Sequence, residues 1–408
     1  MDIITELTTF ILNILGDLLG LTFLADFRGY IQMAIMSVLL LTFIMLNILA
    51  IIWLERKMMG RLMDRPSTQV GPYGLFQLIA DFFKMLGKEI LLPQGADKLG
   101  MYLALFMIVV TAIAAYMVIP VTGFLFVSDP PMGFLIVFAI FSLYPISVAL
   151  LGWSSNSKYS LLGGFRSAAQ LLSYEIPLVL CLGGAIVITN AAKPLAERSF
   201  SLFAIVNYQA QPGFLGIFPQ WFTILLPVGA LIFTITTIAE AERIPFDLPE
   251  GESELIMGWR TELSAITYMY IMMAEYIHMF MGAALAVLIF FGGWTMPFGL
   301  DQIIHPAVWF ILKVYVLVAI EVWIRGALPR IRIDQLLDIG WKILVPLAIV
   351  NLLLAAVISI DLYIGYIITW VVIAFMFIFV FRGLRKDPDI PSTYQPTSTT
   401  DSDIGVEA

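Results

Sequence analysis

Cysteine is almost absent from this sequence: Cys181 is the single one in 408 residues. That excludes a disulfide framework and a thiolate-bound iron–sulfur cluster, both of which need several cysteines. Histidine is nearly as scarce, with only His278 and His305, which argues against a histidine-rich metal or haem site. Charge is short as well. Charged residues make up 13% of the chain, where a soluble globular protein carries roughly a quarter. This shortage excludes a soluble enzyme, a nucleic-acid binder and a disordered scaffold. The phosphate-cradling patterns G-x-G-x-x-G and G-x-x-x-x-G-K-[ST] are also missing. Whatever redox or energy chemistry the chain serves, no cofactor is expected to be bound by it.

What is present is apolar: 60% of residues are hydrophobic and the mean hydropathy is +0.94. The apolar runs are long and unbroken, unlike the short alternating strands of a barrel, so the chain reads as an all-α polytopic membrane protein. A hydrocarbon core of about 30 Å needs about 20 apolar helical residues. Runs of that kind lie near 31–54, 100–122, 133–153, 167–189, 221–239, 264–292, 306–325, 343–360 and 362–381, giving about nine transmembrane helices. Segment 4–24, apolar apart from Glu6 and Asp17, reads as an interfacial helix rather than a tenth span. Asp2 and Glu6 without a basic region argue against a cleaved signal peptide.

Basic residues test the topology. Loops on the side of 55–99 carry eighteen lysines and arginines, and loops on the opposite side carry two. The charged loops and the C-terminus are therefore expected on the cytoplasmic side of a prokaryotic plasma (inner) membrane. No internal repeat is evident. The chain divides into an N-terminal extension (1–30), a main membrane domain (31–345), additional C-terminal membrane helices (346–386) and a disordered acidic tail (387–408).

Three features carry chemistry. Residues 74–90 form an amphipathic interfacial helix with Gln77, Asp81, Lys84 and Lys88 on one stripe, too short and polar to span. It is either a surface anchor or the lining of an opening through which an apolar ligand leaves the lipid. Residues 240–262 hold seven acids, Glu240, Glu242, Asp247, Glu250, Glu252, Glu254 and Glu262, against Arg243 and Arg260. Ile244, Pro245, Phe246, Leu248 and Pro249 are interleaved with them, unlike a merely solvating loop. Closely spaced carboxylates raise one another's proton affinity, so such a cluster can hold and release protons. Glu175, Glu275, Lys313 and Glu321 fall within spans, where ionisable groups are costly and point to function. With the loop they suggest a hydrated polar path from the cytoplasmic side. Glu275 and His278 fit one E-x-x-H of a di-iron bundle, but that motif must occur twice, so no metal is expected.

The segments L-E-R-K at 54–57, V-G-P-Y-G at 70–74, Q-L-I-A-D at 77–81, R-S-A-A-Q-L-L-S-Y-E-I at 166–176, A-E-A-E-R-I-P-F-D-L-P-E-G-E-S-E-L at 239–255 and L-P-R-I-R-I-D-Q-L-L-D-I-G-W-K at 328–342 share one pattern. Over about residues 30–345 the chain resembles the family of H-type membrane subunits (also numbered subunit 1) of respiratory complex I, the proton-pumping NADH:quinone oxidoreductase. The resemblance implies a component inactive alone that joins the membrane arm to the peripheral arm and forms much of the quinone chamber. Quinone is then the substrate, with Gln77, Ala80 and Asp81 at its entrance and Arg56 and Phe246 beside it. The loop carboxylates with Glu175 and Glu275 form a glutamate-rich coupling path. Arg56, Arg243 and Arg260 are candidates for balancing its charge or that of a quinone intermediate. Implied partners are peripheral iron–sulfur and quinone-site subunits, which together with a flavin-bearing partner carry the cofactors. Small membrane subunits and antiporter-like subunits complete the set. The family's usual histidine and tyrosine flanking T-E are Arg260 and Leu263 here, which adds a fixed cation beside the acids. A ferredoxin- or deazaflavin-fed relative, an energy-converting hydrogenase anchor and a stand-alone secondary transporter are the alternatives.

Overall fold

In a computed structural model of the chain, the structure describes residues 28–121, 126–191, 193–194, 197–211, 219–247, 255–296 and 305–384. The segment 4–24, the loop carboxylates Glu250, Glu252 and Glu254, and the acidic tail lie outside the described residues. Helices dominate, and no β-strand occurs among the described residues. In chain order they are α1 (Arg28–Leu62), α2 (Phe76–Leu86), α3 (Lys98–Ala114), α4 (Gly133–Phe141), α5 (Leu143–Ser154), α6 (Lys158–Asn190), α7 (Leu202–Gln209), α8 (Phe222–Leu225), α9 (Pro227–Glu240), α10 (Ala265–Phe290), α11 (Pro306–Ala327), α12 (Ile333–Asp338), α13 (Val345–Ile360) and α14 (Leu362–Leu384). The all-α polytopic architecture is as the sequence led one to expect. Among the described residues, seven helical stretches are long and apolar enough to cross a membrane, and the shorter apolar helix α9 and the apolar helix α14 stand where the other two spans were expected.

Several expected spans differ in detail, among them 133–153, which is divided at Ser142 into α4 and α5. The run 221–239 is broken into α8 and α9, because Pro227 has no N–H to continue a helix and restarts it at the first helical position after Leu226, which is non-helical at φ −130°, ψ 62°. The span expected from 167 starts at Lys158, so α6 has 33 residues and extends about 50 Å at 1.5 Å per residue. The span expected from 343 is preceded by α12 and a π-helical turn, Ile339–Leu344.

α10 is the axis. It is buried continuously from Ala274 to Phe290 and packs on α1, α3, α9 and α11, while α6 forms a second hub against α5, α9 and α13. Ser264 fixes where α10 begins. Its hydroxyl and that of Thr267 form a reciprocal capping box, and Ser264 Oγ also accepts from the Leu91 N–H at 2.8 Å and donates to the Leu91 carbonyl at 3.1 Å. The chain leaving the amphipathic helix is thus tied to the start of the central helix.

The amphipathic helix is shorter than the sequence suggested. α2 has 11 residues, about 17 Å at 1.5 Å per residue, and Lys88 lies beyond its end. Gly71, at φ 77°, opens the preceding 3₁₀ turn Pro72–Gly74, a conformation that a residue with a Cβ rarely adopts.

Candidate functional site

Two features lie side by side at the end of the bundle that holds α2: an apolar cavity and a buried network of charges. The cavity, about 650 Å³, lies between α1, α2 and α10, within the usual range of ligand sites. Its walls are mostly apolar. α1 contributes Met45, Ile48, Leu49 and Ile52; α2 contributes Leu78, Ile79, Phe82, Phe83 and Met85; α10 contributes Tyr268, Met269, Met272, Met273 and Tyr276. Arg56 of α1 and Asp81 of α2 line it as well and form an ion pair across the two helices. Gln77 Nε2 donates to Asp81 Oδ1 at 3.3 Å, so it orients the carboxylate without lining the cavity. Ala80 is exposed on α2 and does not line the cavity.

Five methionines on the walls are unbranched and polarizable, which suits a flat ring or a flexible apolar chain in more than one pose. Met269, Met272, Met273 and Tyr276 follow a helical i, i+3, i+4, i+7 spacing. That stripe is present in the sequence, but on a helix apolar all round it carries no contrast to reveal it.

The charge network begins on the far side of Tyr276. The Arg243 guanidinium lies 4.3 Å from the centre of the Tyr276 ring, and its Nη1 donates to Glu55 Oε1 and Oε2 at 3.3 and 3.4 Å. Arg325 of α11 pairs with the same carboxylate. Glu55 is 5% exposed and Glu321, on α11, 6%. A buried carboxylate persists only if it is paired or protonated, and Glu55 is held by two arginines. Neither Glu55 nor Arg325 was singled out from sequence, although Glu55 stands inside L-E-R-K.

A second cluster surrounds Arg260, which is 2% exposed. It pairs with Glu242 at 3.2 Å and with Glu275 of α10, and its guanidinium lies 4.8 Å from the centre of the Trp259 ring. Ser167 of α6 donates to Glu242, whose backbone has φ 50°. A non-glycine residue there is uncommon and is fixed here by its two side-chain partners. Glu240 ends α9, 7% exposed, with Oε2 buried and without a hydrogen-bond partner among the described residues. Asp247 pairs with Arg330 at 3.3 Å. Gln170 of α6 holds the turn by donating to the Ala239 carbonyl at 3.0 Å and the Phe246 carbonyl at 2.8 Å.

Of the sequence-derived candidates, Arg56 and Asp81 come together at the cavity, and Glu242, Arg260 and Glu275 come together in one buried cluster beside Glu240 and Arg243. Glu175 is half-buried on α6, and Glu262 is partly exposed before α10. Two candidates fall elsewhere. Phe246 packs edge-on against Tyr174, with 5.4 Å between ring centres, in an apolar cluster with Leu336 and Ala348. It anchors the turn instead of lining the cavity. Lys313 lies near the opposite end of α10. It donates to the Phe291, Gly293 and Thr295 carbonyls at 2.7, 3.0 and 3.0 Å and lies 4.5 Å from the Trp221 ring centre. Lys313 therefore ties down the chain that follows α10. Among the described residues no group of acids, histidine and cysteine is arranged to hold a metal ion.

Comparison with known proteins adds a family. A family model described as NADH dehydrogenase matches residues 35–356. The H-type subunit of NADH-quinone oxidoreductase from Brevibacillus brevis is 41% identical over 325 residues, covering 79% of this chain and 92% of the relative. Its counterpart from Dehalococcoides mccartyi is 37% identical over 334 residues, covering 82% and 88%. The second H-type subunit of Syntrophobacter fumaroxidans is 39% identical over 335 residues, covering 80% and 95%.

Proposed function

The chain belongs to the family of H-type membrane subunits of NADH-quinone oxidoreductase, and from that premise we propose that it admits quinone from the bilayer and couples quinone reduction to proton movement. As a multi-pass membrane component of an oxidoreductase complex, it would receive electrons through iron–sulfur partners, since one cysteine cannot hold a cluster. Peripheral subunits would complete the quinone chamber, and small membrane and antiporter-like subunits would continue the coupling path. The charged loops would face the cytoplasm of a prokaryotic cell.

One observation carries the reading. Tyr276 lines the apolar cavity and also bears Arg243 over its ring. An apolar site is thereby separated from a buried network of acids and bases by a single aromatic side chain. A charge change on a bound quinone would be felt by Arg243 in a low-dielectric medium, where such interactions are strong. The shift would pass to Glu55, and the neighbouring Arg260 cluster with Glu240, Glu242 and Glu275 would answer it by taking up or releasing protons. Glu250, Glu252 and Glu254 would join that store from the rest of the loop.

The test is photolabelling of the assembled complex in membranes with an azido-quinone, followed by peptide mapping. Label on Met269–Tyr276 or on α2, displaced by unlabelled quinone, is the expected result. Label confined to other subunits would sink the cavity assignment.

A further inference from the structure

The imidazole of His278 is not used by anything described so far. It is 5% exposed, on α10 one turn beyond Glu275. Its Nδ1 lies 2.9 Å from the Ala274 carbonyl. A carbonyl only accepts, so Nδ1 carries the hydrogen and Nε2 is left as the basic nitrogen. That Nε2 is buried and has no hydrogen-bond partner among the described residues. The ring lies against Tyr144 of α5, with 4.5 Å between centres, and Phe141 of α4, at 6.1 Å. Pure packing at this place needs no nitrogen, and a buried acceptor without a partner is uncommon.

Resting on the carboxylate reading above, we propose that His278 is the next proton-accepting position inward from Glu275, taking a proton on Nε2 and passing it on between α3, α5 and α10 at about the middle of α10. Position follows from the helix. Glu275 and His278 are three residues apart and share a face, and His278 stands about 20 Å from the start of α10 at 1.5 Å per residue. Behind Glu275 lie Arg260 and Glu242, which keep a charged group at the near end. The titratable groups facing the imidazole region are Glu275 and Tyr276 on α10, Tyr144 on α5, and Tyr116 on α3, whose hydroxyl donates to the Ile277 carbonyl at 2.9 Å. Lys313 is held near the far end of α10.

The proton balance is simple. An O–H bond of protonated Glu275, or of a water relaying its proton, breaks as an N–H bond forms at Nε2. The imidazolium keeps its Nδ1–H on Ala274. Transfer from Nε2 to a water molecule farther in restores the neutral ring, and no electrons are exchanged.

The test uses the assembled complex in sealed vesicles, with NADH and a short-chain quinone, and reads protons moved per quinone reduced. His278→Asn can keep the donor to Ala274 but has no titratable base. His278→Phe keeps the stacked ring and loses both nitrogens. A proton role predicts that both lower the ratio at least twofold, whereas a packing role predicts that His278→Phe keeps it. A native ratio in either variant, or failure of both to assemble, overturns the proposal. Glu275→Gln separates the two levels: a native ratio there removes the carboxylate reading itself. A lowered ratio there beside a native one in His278→Asn removes only the role of His278.

Discussion

Arg260 shows how much one residue settles. It is a fixed cation between Glu242 and Glu275, nearly without solvent. Removing one partner from a buried ion cluster leaves an uncompensated charge and typically costs about 3–5 kcal/mol. Arg260→Gln is therefore expected to lower thermal stability of the complex by an amount of that order, unless Glu242 or Glu275 binds a proton instead. Thermal denaturation at two pH values distinguishes these, because protonation at the lower pH relieves the imbalance. By contrast, the Arg56–Asp81 pair is partly exposed, and pairs of that kind contribute about 0–1 kcal/mol. Asp81→Asn should leave stability nearly unchanged and act on quinone access, seen as a raised KM for quinone. An equal loss of stability in both variants would contradict this contrast.

At the scale of elements, the site depends on close helix and turn contacts. A Cβ on Gly163 of α6 would lie 2.6 Å from both Gly258 Cα and Trp259 N, so only glycine lets α6 reach the turn that carries Arg260. Overpacking costs about 1–3 kcal/mol, and Gly163→Ala is expected to displace Trp259 and Arg260 with a stability loss of that size. A melting temperature equal to wild type would show that the turn is not held there. Gln170→Leu tests the other anchor. It takes the side-chain donor from the Phe246 carbonyl, at about 1–3 kcal/mol if that oxygen stays buried and unbonded, while the Ala239 carbonyl keeps the Glu242 N–H at 3.2 Å. The cavity wall responds differently: Met272→Trp fills space instead of breaking a contact. Quinone reduction should fall several-fold while electron transfer to an artificial acceptor in the peripheral arm continues, as measured by paired assays on one preparation.

Over the whole molecule, the composition supplies its own probe of sidedness. Cys181 is the only cysteine and is buried, so a cysteine introduced at an exposed position can be labelled against a quiet background. Glu89→Cys and Arg198→Cys lie on opposite sides in the basic-residue count. An impermeant maleimide added to intact cells is expected to label Arg198→Cys, and Glu89→Cys only after the membrane is opened. The reverse pattern would invert the topology. The family match ends at residue 356, before α14 begins at Leu362. α14 packs chiefly on α13, away from both the cavity and the charge clusters.

The sequence by itself determined the class of molecule. Long apolar runs, scarce charge and one cysteine dictate a helical membrane protein without its own cluster, because a bilayer leaves backbone polar groups no partner outside a helix or closed barrel. The motifs around Glu55, Asp81, Glu175 and Glu242 carried the family resemblance, and ionisable residues in spans marked Glu275 and Glu321. Three assignments were decided only by the tertiary structure. Lys313 and Glu321 read alike along α11, yet one serves the far end of α10 and the other is buried nearer the arginines. Phe246 read as a ligand contact and is an anchor for its turn. Met269, Met272 and Met273 were silent, because a helix apolar all round has no polar face against which periodicity can show. Pairing of Glu55 with Arg243 and with Arg325 joins residues far apart in the chain. Burial makes such pairings strong, and local sequence carries no record of which distant charge will be brought into contact.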